Sequence, residues 1–205
     1  LTVGGGLRSI ADIRNVLRAG ADKVAINTAA IKNPQFIREA SLKFGSSTIV
    51  VAIEAIREND GTYLAYTDNG REHTGINAIQ WAKYVEELGA GEIVITSVDK
   101  EGTGEGFDIE LTKQISDAVS IPVIAHGGCG GPDDVVKVLE SSSIDAVTIA
   151  SVLHYDFITK VHQTSSFNDE GNVSFLNSGK AYGKISPCTI NDIKEILNQK
   201  RTYVI

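Results

Sequence analysis

The sequence predicts an α/β protein built around a parallel sheet, and three observations lead to this prediction. Short runs of β-branched residues alternate with amphipathic stretches of helical period along the 205-residue chain. Six such strand–helix units fit into about 155 residues, a rhythm typical of parallel strands joined by crossover helices. Residues 47–53 form an apolar run, which is expected for a strand buried on both faces.

The elements follow in order. We expect a first strand at residues 1–3, which ends in three glycines, and then a helix with Ser9 as N-cap, Asp12 three residues later and Gly20 at its close. The short segment 61–67 predicts a hairpin excursion. Further strands are predicted at residues 23–26, 47–53, 92–96, 122–125 and 146–149, and further helices at residues 34–44, 77–88, 109–119, 133–139 and 189–199.

An internal repeat favours a barrel over a doubly wound sheet. Residues 3–28 resemble residues 125–151: a glycine cluster follows one strand, and the next strand ends in Asn-Thr or Ala-Ser before a helix. Four units separate the two copies. A (β/α)8 barrel made of two four-unit halves predicts that spacing, and a Rossmann sheet does not.

Composition excludes several classes of protein. The net charge is −7, whereas a nucleic-acid surface would show a basic excess. No apolar run reaches the length needed to span a bilayer. The two cysteines, Cys129 and Cys188, lie too far apart for a disulfide framework, so we expect a cytoplasmic protein. The length of the chain predicts one domain over residues 1–205. The chain has no Met and begins inside a predicted strand, so we expect it to be incomplete at its N-terminus.

Each copy of the repeat predicts a phosphate site. Glycine turns let backbone N–H groups approach an anion, and a following helix start adds positive potential. Two such sites would suit a substrate with a phosphate at each end, and the alternative is tight turns with capping residues. The residues concerned are Gly6, Asn27 and Thr28 in one copy and Gly128, Ala150 and Ser151 in the other.

Glu54 is the candidate catalytic residue. It follows the apolar strand, at the rim where barrel enzymes place their chemistry, and could act as a general acid or base. The alternative is a salt bridge with Arg57 or Arg71. Residues 99–104 predict either a loop over the ligand or a charged surface turn.

The histidines and Cys129 give weaker indications of function. His126 could titrate near neutrality or could be a satisfied polar residue, and Cys129 reads as a packing residue. The other histidines are too scattered for a metal cluster, so we expect neither a metal nor another cofactor. They are His73, His154 and His162.

Together these motifs resemble the cyclase subunits of imidazole glycerol phosphate synthase. The resemblance runs from Leu1 to about Tyr155 and is carried by residues 3–8, 21–30, 89–97, 99–104 and 150–155. It implies a (β/α)8 barrel of which this chain supplies units three to eight. It also implies an enzyme of histidine biosynthesis that takes ammonia from a glutaminase partner. The substrate would be a bis-phosphorylated ribulosyl aminoimidazole carboxamide, and the products imidazole glycerol phosphate and an aminoimidazole carboxamide ribotide.

The resemblance also implies roles for residues. Glu54 and Glu101 fall where the family has Asp, and His126 where it usually has Ser. The phosphate positions Gly6, Asn27 and Thr28 match the family. The second phosphate and substrate region corresponds to Thr96, Glu101, Gly102, Gly127, Gly128, Ala150 and Ser151.

At the opposite mouth of the barrel the resemblance implies an ammonia entrance. Lys23 and Glu92 match its ring of charged residues, and Asp22 matches a contact with the glutaminase. A plain salt bridge between strand ends is the alternative. Beyond Tyr155 the resemblance ends, and residues 157–188 predict an inserted loop.

Two other functions remain open at the level of sequence. The Glu-for-Asp departures favour a diverged barrel that serves amidation of a surface-polysaccharide sugar. The third hypothesis is a non-catalytic barrel that binds phosphate or acts as a scaffold for a partner.

Overall fold

The strands pair in a simple order. The computed structural model describes residues 1–162 and 184–200. Its strands are β1 (Thr2–Gly4), β2 (Lys23–Ile26), β3 (Ile49–Arg57), β4 (Tyr63–Thr67), β5 (Glu72–Asn77), β6 (Glu92–Ser97), β7 (Val123–His126) and β8 (Ala146–Thr148). Six of them are parallel and lie in the order β1-β2-β3-β6-β7-β8, while β4 and β5 form an antiparallel hairpin on the end of β3.

Helices connect the parallel strands. In the described part of the chain they are α1 (Ile10–Arg18), α2 (Thr28–Lys32), α3 (Gln35–Phe44), α4 (Ala78–Glu87), α5 (Ile109–Ser116), α6 (Pro132–Ser141), α7 (Ser151–His162) and α8 (Ile190–Gln199). Parallel neighbours in chain order with crossover helices form the arc of a (β/α)8 barrel, which confirms the predicted fold class. None of these helices is both long and apolar enough to cross a membrane.

Local signals set the helix starts. Ser9 and Asp12 form a capping box at the start of α1, since the Ser9 hydroxyl accepts from the Asp12 amide and the Asp12 carboxylate accepts from the Ser9 amide. Thr189 and Asp192 form the same box before α8. The short helix α2 was not predicted.

The strand before the candidate catalytic residue is longer than expected. We predicted that it ends at residue 53, but β3 continues to Arg57, so that prediction was wrong. The hairpin is the physical reason, because β4 pairs antiparallel with the extra residues and satisfies their backbone groups. Glu54 therefore lies within a strand rather than in a loop.

Two apolar clusters hold the arc together. The larger lies between the sheet and helices α1 to α5 and includes Ile13, Ile37 and Trp81. The smaller lies under β7, α6, α7 and α8 and includes Val138 and Leu197. Burial of these side chains stabilises the arc by roughly 25 cal/mol for each Å² of apolar surface removed from water.

The structure describes both ends of the predicted loop 157–188. Residues 157–162 are the last turns of α7, so the N-terminal bound of that prediction was wrong. Residues 184–188 have no regular helix or strand and lie beside the rim, where the Ser186 amide donates to the Gly130 carbonyl at 2.7 Å. The rest of the predicted loop and the predicted tail 201–205 lie outside the described residues.

Candidate active site

Polar side chains from four neighbouring strands meet at one level of the sheet. Glu54 on β3 is in register with Thr96 on β6, which is in register with His126 on β7 and then Thr148 on β8. Residues in register on parallel strands project to the same side, and adjacent strands lie about 4.8 Å apart. The carboxyl ends of these strands therefore present a row of polar groups at the rim.

The hairpin tip holds the Glu54 carboxylate. The Gly70 amide donates to Glu54 Oε2 at 2.9 Å. The tip turns through Asp68, Asn69 and Gly70, all of which have positive φ angles of 55° to 75°. This contact brings a segment sixteen residues further along the chain onto the candidate catalytic group.

The salt bridges proposed as the alternative role of Glu54 do not form. Arg57 pairs with Glu110 at 3.0 Å, and the nearest carboxylate to Arg71 is that of Asp68 at 3.9 Å. The carboxylate of Glu54 is therefore left half-buried at the rim and free of a cation among the described residues.

A pocket of about 180 Å³ lies at the carboxyl ends of β7 and β8. That is room for several water molecules and hence for a phosphate group. It is formed by the loop after β6, the glycine turn after β7 and the start of α7. Its lining residues are Glu101, Gly102, His126, Gly127, Gly128, Cys129, Thr148, Ile149, Ala150 and Ser151.

The glycines of this pocket are required by close packing. Gly127 and Gly128 have φ angles of +96° and +102°. A Cβ atom on Gly128 would lie 2.1 Å from the Gly106 carbonyl oxygen, and one on Gly127 would lie 2.7 Å from that of Ser97. The turn after β7 is thus pressed against the loop after β6, and the Gly106 amide donates to the Gly128 carbonyl at 2.8 Å.

The first predicted phosphate site lies at the ends of β1 and β2, away from that pocket. Gly6 has a φ angle of +69°, and a Cβ there would have no neighbour within 4 Å. Thr28 begins α2. The Asn27 amide nitrogen is 3.5 Å from the Tyr66 carbonyl oxygen, and its buried Oδ1 has no hydrogen-bond partner among the described residues. Asn27 therefore retains hydrogen-bonding capacity at the rim.

The candidate ammonia entrance lies at the other end of the sheet. Lys23 and Glu92 are the first residues of β2 and β6, two strands apart, and their side chains form an ion pair across β3. Asp22, just before Lys23, has an exposed carboxylate. The structure thus brings together Lys23 and Glu92 at the amino end, opposite the row that contains Glu54.

A buried network under the rim was not predicted from the sequence. The carboxylate of Asp108, the N-cap of α5, accepts from the Tyr63 hydroxyl at 3.1 Å and from the Ser97 hydroxyl at 3.3 Å. Burial of Tyr63 and the nearby negative charge of Asp108 raise the pKa of the phenol far above its usual range. The network joins β4, β6 and α5. The sequence signal that could have indicated this network is an Asp immediately before a predicted helix.

The segment 184–188 borders the site. Lys184 forms an ion pair with Glu105, which also lies 3.5 Å from the Lys100 ammonium. A Cβ on Gly130 would lie 2.7 Å from the Lys184 carbonyl oxygen, so the segment packs on the turn after β7. The resemblance did not extend to this part of the chain.

Cys129 lines the pocket as a neutral thiol. Burial raises the pKa of Cys129 to about 12, so it is a poor nucleophile near neutral pH. Within residues 1–162 and 184–200, no three His, Cys, Asp or Glu side chains are grouped so that they could hold a metal ion.

The fold and the polar groups at its rim define the class of protein. It is a (β/α) barrel protein whose candidate catalytic and phosphate-binding residues lie at the carboxyl ends of its strands. Comparison with known sequences specifies the family. The model of the histidine biosynthesis protein family matches residues 1–159, and the chain belongs to this family. It is 53% identical over 155 residues to imidazole glycerol phosphate synthase subunit HisF of Bacillus cereus (strain Q1). The match covers 76% of this chain and 62% of that relative.

Proposed function

We propose that this chain is part of the cyclase subunit of an imidazole glycerol phosphate synthase, and that it works in the cytoplasm in histidine biosynthesis. One observation carries the proposal. Along the sheet, Glu54 on β3 and Thr96 on β6 lie between the two predicted phosphate sites, which are at β1–β2 and at β7–β8. The proposed acid–base group thus lies between the two proposed phosphate anchors.

The spacing suits a substrate with two phosphates. From β2 to β7 there are three strand steps, or about 14–15 Å measured along the sheet. In the proposed reaction, a bis-phosphorylated ribulosyl aminoimidazole carboxamide binds by its two ends. Its central part then lies over Glu54, where ammonia adds and the ring closes. The products are imidazole glycerol phosphate and an aminoimidazole carboxamide ribotide.

Glu54 is proposed as the general acid or base of this reaction. Its carboxylate lies at the rim, accepts one hydrogen bond from the hairpin tip and has no described cationic partner. These features leave it free to exchange a proton with the substrate. Holding the substrate at both ends lowers the entropic cost of bringing the reacting atoms to that carboxylate.

Ammonia is proposed to arrive from a glutaminase partner at the amino end of the sheet. The Lys23–Glu92 ion pair and the exposed Asp22 lie at that end. The Bacillus relative is named as a subunit of a synthase, which supports the existence of a partner.

The test is cyclase turnover of the full-length protein with ammonium salt in place of the partner. Glu54→Gln should lower turnover by about 10²- to 10⁴-fold, the usual contribution of a general acid or base. Glu39→Gln, an exposed carboxylate on α3, is the matched control and should leave turnover unchanged.

Complementation of a cyclase-deficient histidine auxotroph gives an independent result. Growth would support the histidine pathway. Absence of both turnover and growth, with a folded protein that still binds the bis-phosphate, would refute the proposal and favour sugar amidation or a non-catalytic barrel.

A further inference from the structure

The pocket at β7 and β8 has an unusual balance of charge for an anion site. Its lining residues, all of which the structure describes, include the acidic Glu101 and no Lys or Arg. Two lysines near this rim, Lys100 and Lys184, both pair with Glu105. Among the described residues that line the pocket, His126 therefore has the one side chain that can supply positive charge to a bound phosphate.

The position of the His126 imidazole is well defined. His126 is the last residue of β7 and follows Ala125, which is buried. Its Nδ1 lies 3.2 Å from the Thr96 hydroxyl on the neighbouring strand. That contact engages one ring nitrogen, so Nε2 is the nitrogen left to bind a ligand in the pocket.

We propose that His126 recognises a phosphate group of the substrate by donating its Nε2–H to a phosphate oxygen in the β7–β8 pocket. This inference rests on the proposed function and adds a binding residue to it. His126 is then a specificity-determining residue, because an imidazole can donate a charge-assisted hydrogen bond to a dianionic group in a pocket that Glu101 also lines. A hydroxyl at this position, as Ser would supply, has one donor and no charge.

Among the described residues, few titratable groups surround this imidazole. On β6 and β8 its neighbours in register are the uncharged Thr96 and Thr148. The loop after β6 contributes Glu101, and the turn after β7 contributes Cys129, whose raised pKa keeps it neutral. Glu54 lies two strands away at the same level. An imidazolium binds an anion more strongly than a neutral imidazole does, so anion affinity should rise as the pH falls.

Sulfate is the appropriate probe, because its charge stays at −2 over the pH range of the measurement. The dissociation constant of sulfate for the full chain is measured by calorimetry at several pH values. We expect wild-type affinity to be about tenfold or more higher at pH 5.5 than at pH 8.5, as for a hydrogen bond to a charged donor. His126→Ser should abolish this dependence. His126→Gln, which keeps an N–H donor that does not titrate, should bind independently of pH.

Two control variants distinguish the effect of His126 on the pH dependence from the effects of other residues. His154→Ser changes an exposed histidine on α7 outside the pocket and should leave the pH dependence intact. Glu101→Gln should also retain it, since the titrating imidazole is still present. Thermal unfolding of each variant confirms that it is folded.

The outcomes distinguish this inference from the proposed function. If His126→Ser and His126→Gln keep the wild-type affinity and pH profile, while the wild type turns over substrate, the role of His126 is refuted and the proposed function stands. If the wild type binds no sulfate at any pH, both the role of His126 and the phosphate site at β7–β8 are refuted.

Discussion

Replacement of Gly70 by alanine tests whether the hairpin tip positions Glu54. Gly70 has a φ angle of +75°, and a Cβ there would lie 2.7 Å from Val98 Cγ1. The left-handed backbone costs about 1–2 kcal/mol for an L-residue. The overlap adds about 1–3 kcal/mol, because the β-branched Val98 side chain has little rotamer freedom with which to move away.

Gly75 offers a matched control in the same hairpin. Its φ angle is +73°, but a Cβ there would meet only His73 Cε1 at 3.9 Å. Gly75→Ala should therefore lose stability through backbone strain alone, by about 1 kcal/mol after the gain from a stiffer unfolded chain. Gly70→Ala should cost about 2–4 kcal/mol by the sum of the two effects.

Urea unfolding of four proteins provides the measurement: wild type, Gly70→Ala, Val98→Ala and the double variant. We expect a coupling of about 1–3 kcal/mol, since removal of the valine methyl groups relieves the overlap. Turnover with ammonium should fall for Gly70→Ala, as the Gly70 amide shifts away from Glu54, and should be unchanged for Gly75→Ala. Equal stability of Gly70→Ala and Gly75→Ala, with no coupling to Val98, would refute this reasoning.

Three further predictions concern the rim. Gly128→Ala should abolish sulfate binding and destabilise the fold far more than Gly6→Ala, because only the Gly128 Cβ meets a backbone atom, at 2.1 Å; similar unfolding midpoints in urea would contradict this. Tyr63→Phe should lower stability by about 1–3 kcal/mol, since it removes a buried donor to Asp108, and an unchanged midpoint would show that this bond contributes nothing. Cys129 should resist iodoacetamide at pH 8 in the native protein and react in urea, because burial raises its pKa to about 12 and so suppresses the thiolate; fast native alkylation, followed by mass spectrometry, would argue against it.

Strand order and strand type followed from local pattern. β2 was predicted with the bounds that the structure shows, and the capping boxes before α1 and α8 follow from Ser and Thr three residues ahead of Asp. These features depend on contacts within a few residues. The continuation of β3 beyond residue 53 could not be predicted from such local contacts, because its pairing with β4 depends on the hairpin.

The candidate site divides in the same way. Glu54, Gly128 and Ser151 stand at strand ends or helix starts in the sequence, so their place at the rim could be predicted from the fold class. The amide that holds Glu54 could not be predicted, since Gly70 meets it only when the hairpin folds back. Nor could the contact of His126 with Thr96, thirty residues apart in the chain.

By itself, the sequence determined the class of fold, the order of the parallel strands and the family resemblance, because alternating periodicity and glycine motifs are local and repeat. The tertiary structure alone decided which polar groups share a level of the sheet, which carboxylates lack a cation and which glycines have no room for a side chain. The physical reason is that register and close approach depend on residues far apart in sequence, whose contacts form when strands pair and loops pack.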